Sequence, residues 1–206
     1  MSNKFFKFLK ISATFCIEIV DFICCKCFIN FINYFIKKKE EIMSENILKE
    51  GQKINDFELP GISHSGEEKN FTLNSLLEGK EYLILYFYPR DNTSGCTQEA
   101  KDFRDAYDKI KNKFEVCGIS PDSIESHKKF MKKHSLNFPL LSDRDKKIMT
   151  YFGAYGEKKM YGKIKMGVIR STFIISKDKI LIKAWRNVRA KGHVERVIEW
   201  INKNLE

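Results

Sequence analysis

Beyond residue 27 the 206-residue chain holds only two cysteines, Cys96 and Cys117, and no spacing pairs them. That excludes a disulfide framework for the body of the protein. It points to a reducing compartment, the cytoplasm, where a cysteine is either inert core or a reactive thiol. Cys96 is followed by Thr97, Gln98 and Glu99, so the Cys-x-x-Cys pair that dithiol exchange requires is missing at this position. Zinc-ligand spacing is lacking too. Cys24, Cys25 and Cys27 find no second pair or histidine set to complete four ligands, and His64, His127, His134 and His193 are dispersed, each reading as a surface or capping residue. No metal and no cofactor is expected.

The formal charge is +10, yet the basic residues are interleaved with Asp and Glu along most of the chain. With no basic helix and no aromatic RNA-binding box, the excess reads as a solvated surface, and nucleic acid is not an expected partner. A clean membrane span is absent as well. The apolar stretch from Ile11 to Ile36 is interrupted by Glu18, Asp21 and Lys26, each costly in hydrocarbon. Lys4, Lys7 and Lys10 would suit the start of a signal peptide, but no small-residue cleavage site follows. Residues 1–42, rich in Phe, Ile, Lys and Cys, are therefore read as a leader apart from the domain over 43–206. The simplest hypothesis is that translation starts at Met43; the alternative is a basic, aromatic-rich helix lying on a membrane surface. Membrane association is otherwise not expected.

What is present from Met43 onward is an ordinary globular composition, enough for one compact domain with a full core. Tyr82 to Tyr88 (YLILYFY) is a continuous apolar run, as in a strand buried on both faces. Ala100, Phe103, Tyr107 and Ile110 recur at helical spacing and predict a helix from about Thr97 to Lys113. Phe114 to Ser120 reads as a strand. Pro121-Asp122-Ser123 caps a helix to about Ser135. A short strand over Phe138 to Leu141 and a short helix over Lys146 to Phe152 follow. A Gly- and Lys-rich loop then leads to strands Val168 to Ile175 and Ile180 to Val188, joined by Lys177-Asp178-Lys179. Val194, Val197, Ile198 and Ile201 place one apolar stripe on a closing helix. An opening hairpin is expected around Phe57 and Phe71. The order predicts a layered α/β domain with a central mixed β-sheet flanked by helices.

Between the buried strand and its helix lies Pro89-Arg90-Asp91-Asn92-Thr93-Ser94-Gly95-Cys96-Thr97-Gln98-Glu99-Ala100. At the carboxyl end of a central strand the next helix presents unpaired backbone N–H groups, where function concentrates in α/β folds. Such a terminus carries roughly half a positive charge, which favours a thiolate over a thiol. Cys96 is thus the candidate nucleophile. Thr93 can turn its hydroxyl toward the sulfur or a substrate oxygen, and Gly95 permits close backbone approach.

The segment resembles the peroxiredoxins, and within them the bacterioferritin-comigratory-protein or PrxQ-like group. Their pattern Pro-x-x-x-Thr-x-x-Cys is met in register by Pro89, Thr93 and Cys96. FPLLSD (138–143), RSTFII (170–175) and KAWRNVRAKGH (183–193) carry the likeness on, so that it covers the chain from Glu45 to the C-terminus. The resemblance implies a thioredoxin-like fold and a thiol-dependent peroxidase that reduces hydrogen peroxide and organic hydroperoxides through a sulfenic acid on Cys96. It makes Arg170 the active-site arginine beside Cys96 and Thr93. Pro89, Gly95 and Glu99 are expected to line or shape the substrate pocket, Glu99 by orienting Arg170 or a backbone group or simply by favouring the positive helix end. By analogy with the group, the protein is expected to be a monomer rather than a dimer.

Two departures from the group bear on turnover. Where many members carry a resolving cysteine five residues after the first, this chain has Lys101; where proline is usual, it has Ser94. Cys117 is another possible resolving thiol, but it lies within an apparent strand, roughly 10 Å inside the sheet at about 3.3 Å per residue; the leader cysteines could resolve only if the leader is part of the protein and folds back. The expectation is a one-cysteine mechanism, with thioredoxin, glutaredoxin or a low-molecular-weight thiol as the reductant. The rival from another class is a non-catalytic binding protein or holdase that retains the fold.

Overall fold

The computed structural model describes residues 47–160 and 163–205. The leader, its four cysteines and the boundary at Met43 lie outside the described residues. Among the described residues fourteen elements follow one another. An opening hairpin, β1 (Glu58–Ile62) and β2 (Glu68–Thr72), precedes a short helix α1 (Leu73–Leu77). Then come β3 (Tyr82–Phe87), α2 (Ser94–Ile110), β4 (Phe114–Ser120), α3 (Ile124–His134), β5 (Leu140–Ser142) and α4 (Lys147–Tyr151). A second hairpin, β6 (Tyr155–Met160) and β7 (Lys163–Val168), leads to β8 (Ser171–Ser176), β9 (Leu181–Trp185) and α5 (His193–Asn204).

Seven strands form one sheet in the order β2-β1-β5-β4-β3-β8-β9. β3, β4 and β5 are parallel, while β8 and β1 join that block antiparallel on its two sides. The sheet is therefore mixed, as expected. Its centre is β3, whose five residues Leu83 to Phe87 are wholly buried. Burying each such side chain stabilises the fold by roughly 1.5–3 kcal/mol.

Because side chains alternate along a strand, the sheet divides the interior into two cores. Leu83, Leu85 and Phe87 of β3 join Cys117 and Ile119 of β4 under α1 and α4. Ile84, Tyr86 and Tyr88 face the other way and pack with Cys96, Ala100 and Phe103 of α2, Phe130 of α3 and Val197 of α5. Gly118 of β4 lies on this second face beneath the Tyr86 ring: a Cβ there would stand 2.7 Å from the phenol oxygen. The glycine makes room for the largest residue of the central strand.

Several expected boundaries move. α2 begins at Ser94 rather than Thr97, because Thr93 is already the extended residue before the helix (φ −83°, ψ 149°). Cys96 is thereby the third helical residue. The strand expected over Val168 to Ile175 is broken: β7 ends at Val168 and β8 starts at Ser171, leaving Ile169 and Arg170 between them. The Ile169 N–H turns to the Ala154 carbonyl at 2.7 Å and the Ser171 hydroxyl donates to the Ile169 carbonyl at 2.9 Å. The Gly- and Lys-rich stretch is no loop but the β6–β7 hairpin, paired from Tyr155–Val168 outward. β9 stops at Trp185, short of Val188, because Asn187 takes a left-handed conformation (φ 53°) that ends an extended strand. β5 is displaced toward Ser142, and α1, capped reciprocally by Thr72 and Ser75, is an addition to the expected elements.

Candidate active site

The loop from Tyr88 to Thr93 leaves the carboxyl end of β3, and α2 carries Cys96 in its first turn. The sulfur is buried, 2% exposed, on the core face of the helix with Ala100 and Phe103. Across from it, Arg170 projects from the break between β7 and β8. Its Nη2 donates to the Cys96 Sγ at 3.1 Å, and its Nη1 pairs with the Glu99 carboxylate. The backbone of Arg170 is fixed by the Val188 N–H, which donates to its carbonyl at 3.0 Å. One guanidinium thus bridges a thiol and a carboxylate from the same helical turn, a task suited to arginine's rigid donor fork.

Charge and burial compete within this group. Burial pushes the Glu99 carboxyl up to about 7, against the pull of the Arg170 guanidinium. Burial also opposes the charge on Arg170, but Glu99 and Cys96 more than offset it and hold the guanidinium above its ordinary value. The net result is a positive group directed at the sulfur and backed by a carboxyl that is half-neutral near pH 7.

The sequence reading puts Glu99 in the substrate pocket. Its expected pairing with Arg170 is present, but Glu99 lies fully buried behind Arg170 rather than lining the pocket, and its Oε1 has no protein partner. Thr93 is exposed, and its hydroxyl donates to the Arg90 carbonyl at 3.1 Å rather than to the sulfur. With its hydrogen committed there, its lone pairs are what it offers an incoming molecule. Gly95 is not sterically obligatory, since an added Cβ would meet only Ala190 at 3.6 Å and the Arg170 Nη2 at 3.7 Å. Pro89 is half-buried at the start of the loop. Cys117 is wholly buried, its thiol pushed well up by burial, and it lies in the other core, on the opposite face of the sheet from Cys96.

Two histidines read as surface or capping residues are also buried. His127 sits against Asp91, and His193 donates to or accepts from the Thr172 hydroxyl at 2.8 Å. Burial, with Arg196 and Arg170 nearby, brings the His193 imidazole down to about 4. His64 is exposed as expected, and His134 is half-buried at the last position of α3.

Residues 50–184 match the AhpC/TSA family. The chain belongs to that family. Among its relatives, the putative peroxiredoxin bcp of Helicobacter pylori (strain J99) is 45% identical over 153 residues, which span 74% of this chain and 97% of the relative. Peroxiredoxin Bcp of Bacillus subtilis is 46% identical over 150 residues, 72% of this chain and 92% of that one. The solved bacterioferritin comigratory protein of Xanthomonas campestris, described for alkyl peroxide reduction, superposes with a TM-score of 0.63 at 34% identity, covering 72% of this chain and 92% of its own. The protein is a peroxiredoxin, a thiol-dependent peroxidase with a thioredoxin-like fold.

The Glu99 environment gives this peroxiredoxin a pH signature. A carboxyl raised from 4.5 in the unfolded chain to about 7 in the folded one contributes stability that is complete below about 4.5 and is lost as pH rises through about 7. The Glu99 contribution to urea resistance should therefore fall across that window by up to about 3 kcal/mol, at about 1.36 kcal/mol for each tenfold difference in proton affinity, while His193, brought down to about 4, adds an opposing rise between about 4 and 6.5. Glu99→Gln, which keeps only the His193 contribution, should gain urea resistance relative to the parent as pH rises through the window. Denaturation midpoints of the two proteins between pH 4 and 8 check this, and equal slopes would contradict it.

Proposed function

We propose that Cys96 is the thiol that attacks the peroxide, with Arg170 and Thr93 arranging the encounter and an external thiol completing the cycle. The observation that carries the reading is the Arg170 guanidinium, 3.1 Å from the Cys96 Sγ at the start of α2. The sulfur attacks one peroxide oxygen, forming an S–O bond as the O–O bond breaks. The electron pair leaves on the second oxygen, which takes up a proton and departs as water or an alcohol. Negative charge moves from sulfur onto two oxygens, and preorganised donors aimed at that region lower the barrier. Arg170 supplies such donors. The Thr93 hydroxyl, its own hydrogen held by Arg90, accepts the peroxide O–H and so orients the oxygen to be attacked.

The product is a sulfenic acid on Cys96. Lys101 occupies the place of a same-helix resolving thiol, and Cys117 faces the far side of the sheet. No described side chain offers a second thiol on the Cys96 face. The reading is therefore a one-cysteine cycle, in which thioredoxin, glutaredoxin or a low-molecular-weight thiol attacks the sulfenic sulfur. Hydrogen peroxide and organic hydroperoxides are the proposed substrates, acted on by a monomer in the cytoplasm.

Peroxide consumption by the full chain, assayed with each class of reductant, tests the substrate and reductant. Intact mass after one equivalent of hydrogen peroxide tests the mechanism. The expected product has gained one oxygen, and Cys117→Ala should behave identically with turnover within about twofold of the parent. A product that has instead lost two hydrogens, and no longer does so in Cys117→Ala, would refute the one-cysteine cycle.

A further inference from the structure

The peroxidase chemistry leaves without a task a buried polar cluster just ahead of Cys96. Asp91, 5% exposed, sits in the loop between β3 and α2, two residues before Thr93. Its Oδ1 accepts from the Tyr88 hydroxyl at 2.7 Å and its Oδ2 from the Ser126 hydroxyl at 2.7 Å. Its backbone N–H donates to Asp122 Oδ2 at 2.7 Å. The Nδ1 of His127, a residue with no exposure at all, lies 2.9 Å from Asp91 Oδ2. On the other side of the ring, Nε2 is 3.2 Å from the Leu141 carbonyl.

A carbonyl only accepts, so Nε2 carries a hydrogen. Nδ1 faces the Asp91 carboxyl group, which also accepts from the Tyr88 and Ser126 hydroxyls. Both ring nitrogens of His127 are thus engaged, and the ring ties the loop to α3 and, through Leu141, to β5. The tie falls where the chain bends most: Asn92, between Asp91 and Thr93, is left-handed (φ 57°), and Thr93 then turns extended into the helix.

A second observation gives the tie a consequence. Cys96 is only 2% exposed. A peroxide need deliver only one oxygen to the sulfur, whereas a reducing thiol must bring its own sulfur and substituent into line with the S–O bond. In that step an S–S bond forms, the S–O bond breaks, and the hydroxide leaves as water with the proton released by the thiol. For it to happen, the first turn of α2 and the loop before it have to move outward. Whatever fastens the loop favours the first half of the cycle and opposes the second.

We propose that His127 is a positioning residue: by latching Asp91 it holds the loop and the start of α2 in the form that reacts with peroxide, and release of that latch admits the reducing thiol. The proposal rests on Cys96 being the reacting sulfur. Two substitutions separate the two bonds of the ring. In His127→Asn the amide nitrogen can occupy the place of Nδ1, and in His127→Gln that of Nε2.

The test follows the peptide carrying Cys96 in the full chain by rapid quenching and mass spectrometry, measuring oxidation by hydrogen peroxide and then reduction by dithiothreitol. His127→Gln, which lacks the hydrogen bond to Asp91, is expected to slow oxidation about tenfold or more and to speed reduction severalfold. His127→Asn is expected to restore both rates to within about twofold of the parent. If His127→Gln does not fold, Tyr88→Phe, which removes one donor from Asp91 and keeps the ring, should show the same opposed changes at about threefold. Rates that move together, that do not move, or that fall as far in His127→Asn as in His127→Gln would overturn the latch. A parent protein whose Cys96 is never oxidised would bring down the peroxide reading as well, while an active parent with unresponsive variants overturns the latch alone.

Discussion

Cys96→Ser should lose peroxide turnover by a factor on the order of 10⁴ or more, to the level of the uncatalysed reaction. The hydroxyl of serine stays protonated at neutral pH and is a poor nucleophile toward an O–O bond, so the Arg170 guanidinium would face a group it cannot help. The fold should be unaffected, because the replacement is smaller by little and the helical turn is retained. The cost to stability is expected at about 1 kcal/mol. Peroxide consumption alongside thermal melting distinguishes this from unfolding. Residual turnover within about tenfold of the parent would place the chemistry on another residue.

The second large effect concerns Arg170. Arg170→Ala removes the donor 3.1 Å from the sulfur, and loss of a preorganised donor at a developing charge costs about 10²–10³ in rate. Stability behaves differently. Breaking a buried ion pair commonly costs about 3–5 kcal/mol because a charge is left alone. Here the carboxyl left behind is Glu99, which already sits at about 7 and can take up a proton at little cost near neutral pH. The destabilisation should therefore be about 1–2 kcal/mol. Arg170→Lys should recover only part of the rate, since one ammonium cannot span both the Cys96 sulfur and the Glu99 carboxylate. Adding Glu99→Gln to Arg170→Ala should restore stability without restoring rate. Single-turnover oxidation rates and urea midpoints for the three variants check these outcomes.

The reacting residues were legible in the sequence because each sits in a local pattern. Cys96 follows a buried strand and a turn and precedes an apolar helical stripe; Arg170 precedes a wholly buried strand, Ser171 to Ile175. The central strand and the closing helix were legible for the same reason, since hydrophobic periodicity is a local signal. The β6–β7 hairpin was not, because although β7 alternates Lys163 and Lys165 with Ile164, Met166 and Val168, its partner strand YGEKKM has no such alternation and the Gly and Lys residues read as a loop. The break at Ile169–Arg170 was hidden for a related reason: Val168, Ile169 and the residues of β8 are all compatible with one extended run.

The Asp91–His127 contact could not be read from pattern at all. His127 occupies an ordinary position on a helix rich in lysine, and its partner lies on a different loop. Only the parallel pairing of β3 with β4 brings the two together, because it places the loops that follow both strands at the same, carboxyl end of the sheet. That topology was implicit in the alternation of strands and helices, so the loop after β3 and the start of α3 could have been compared as neighbours. Glu99 was legible as a partner for Arg170, but its burial was not. A carboxylate in a first helical turn reads as a solvated group at the positive helix end, and its burial follows from Arg170, which is distant in sequence.

The most direct measurement is the site of first oxidation. The full chain is treated with one equivalent of hydrogen peroxide in the presence of dimedone, which captures sulfenic acids, and is then digested and mapped by mass spectrometry. A single adduct on the peptide bearing Cys96, strongly diminished in Arg170→Ala, is the predicted result. An adduct on Cys117, or a Cys96 that stays unmodified while peroxide is consumed, would contradict the assignment of the chemistry to this sulfur.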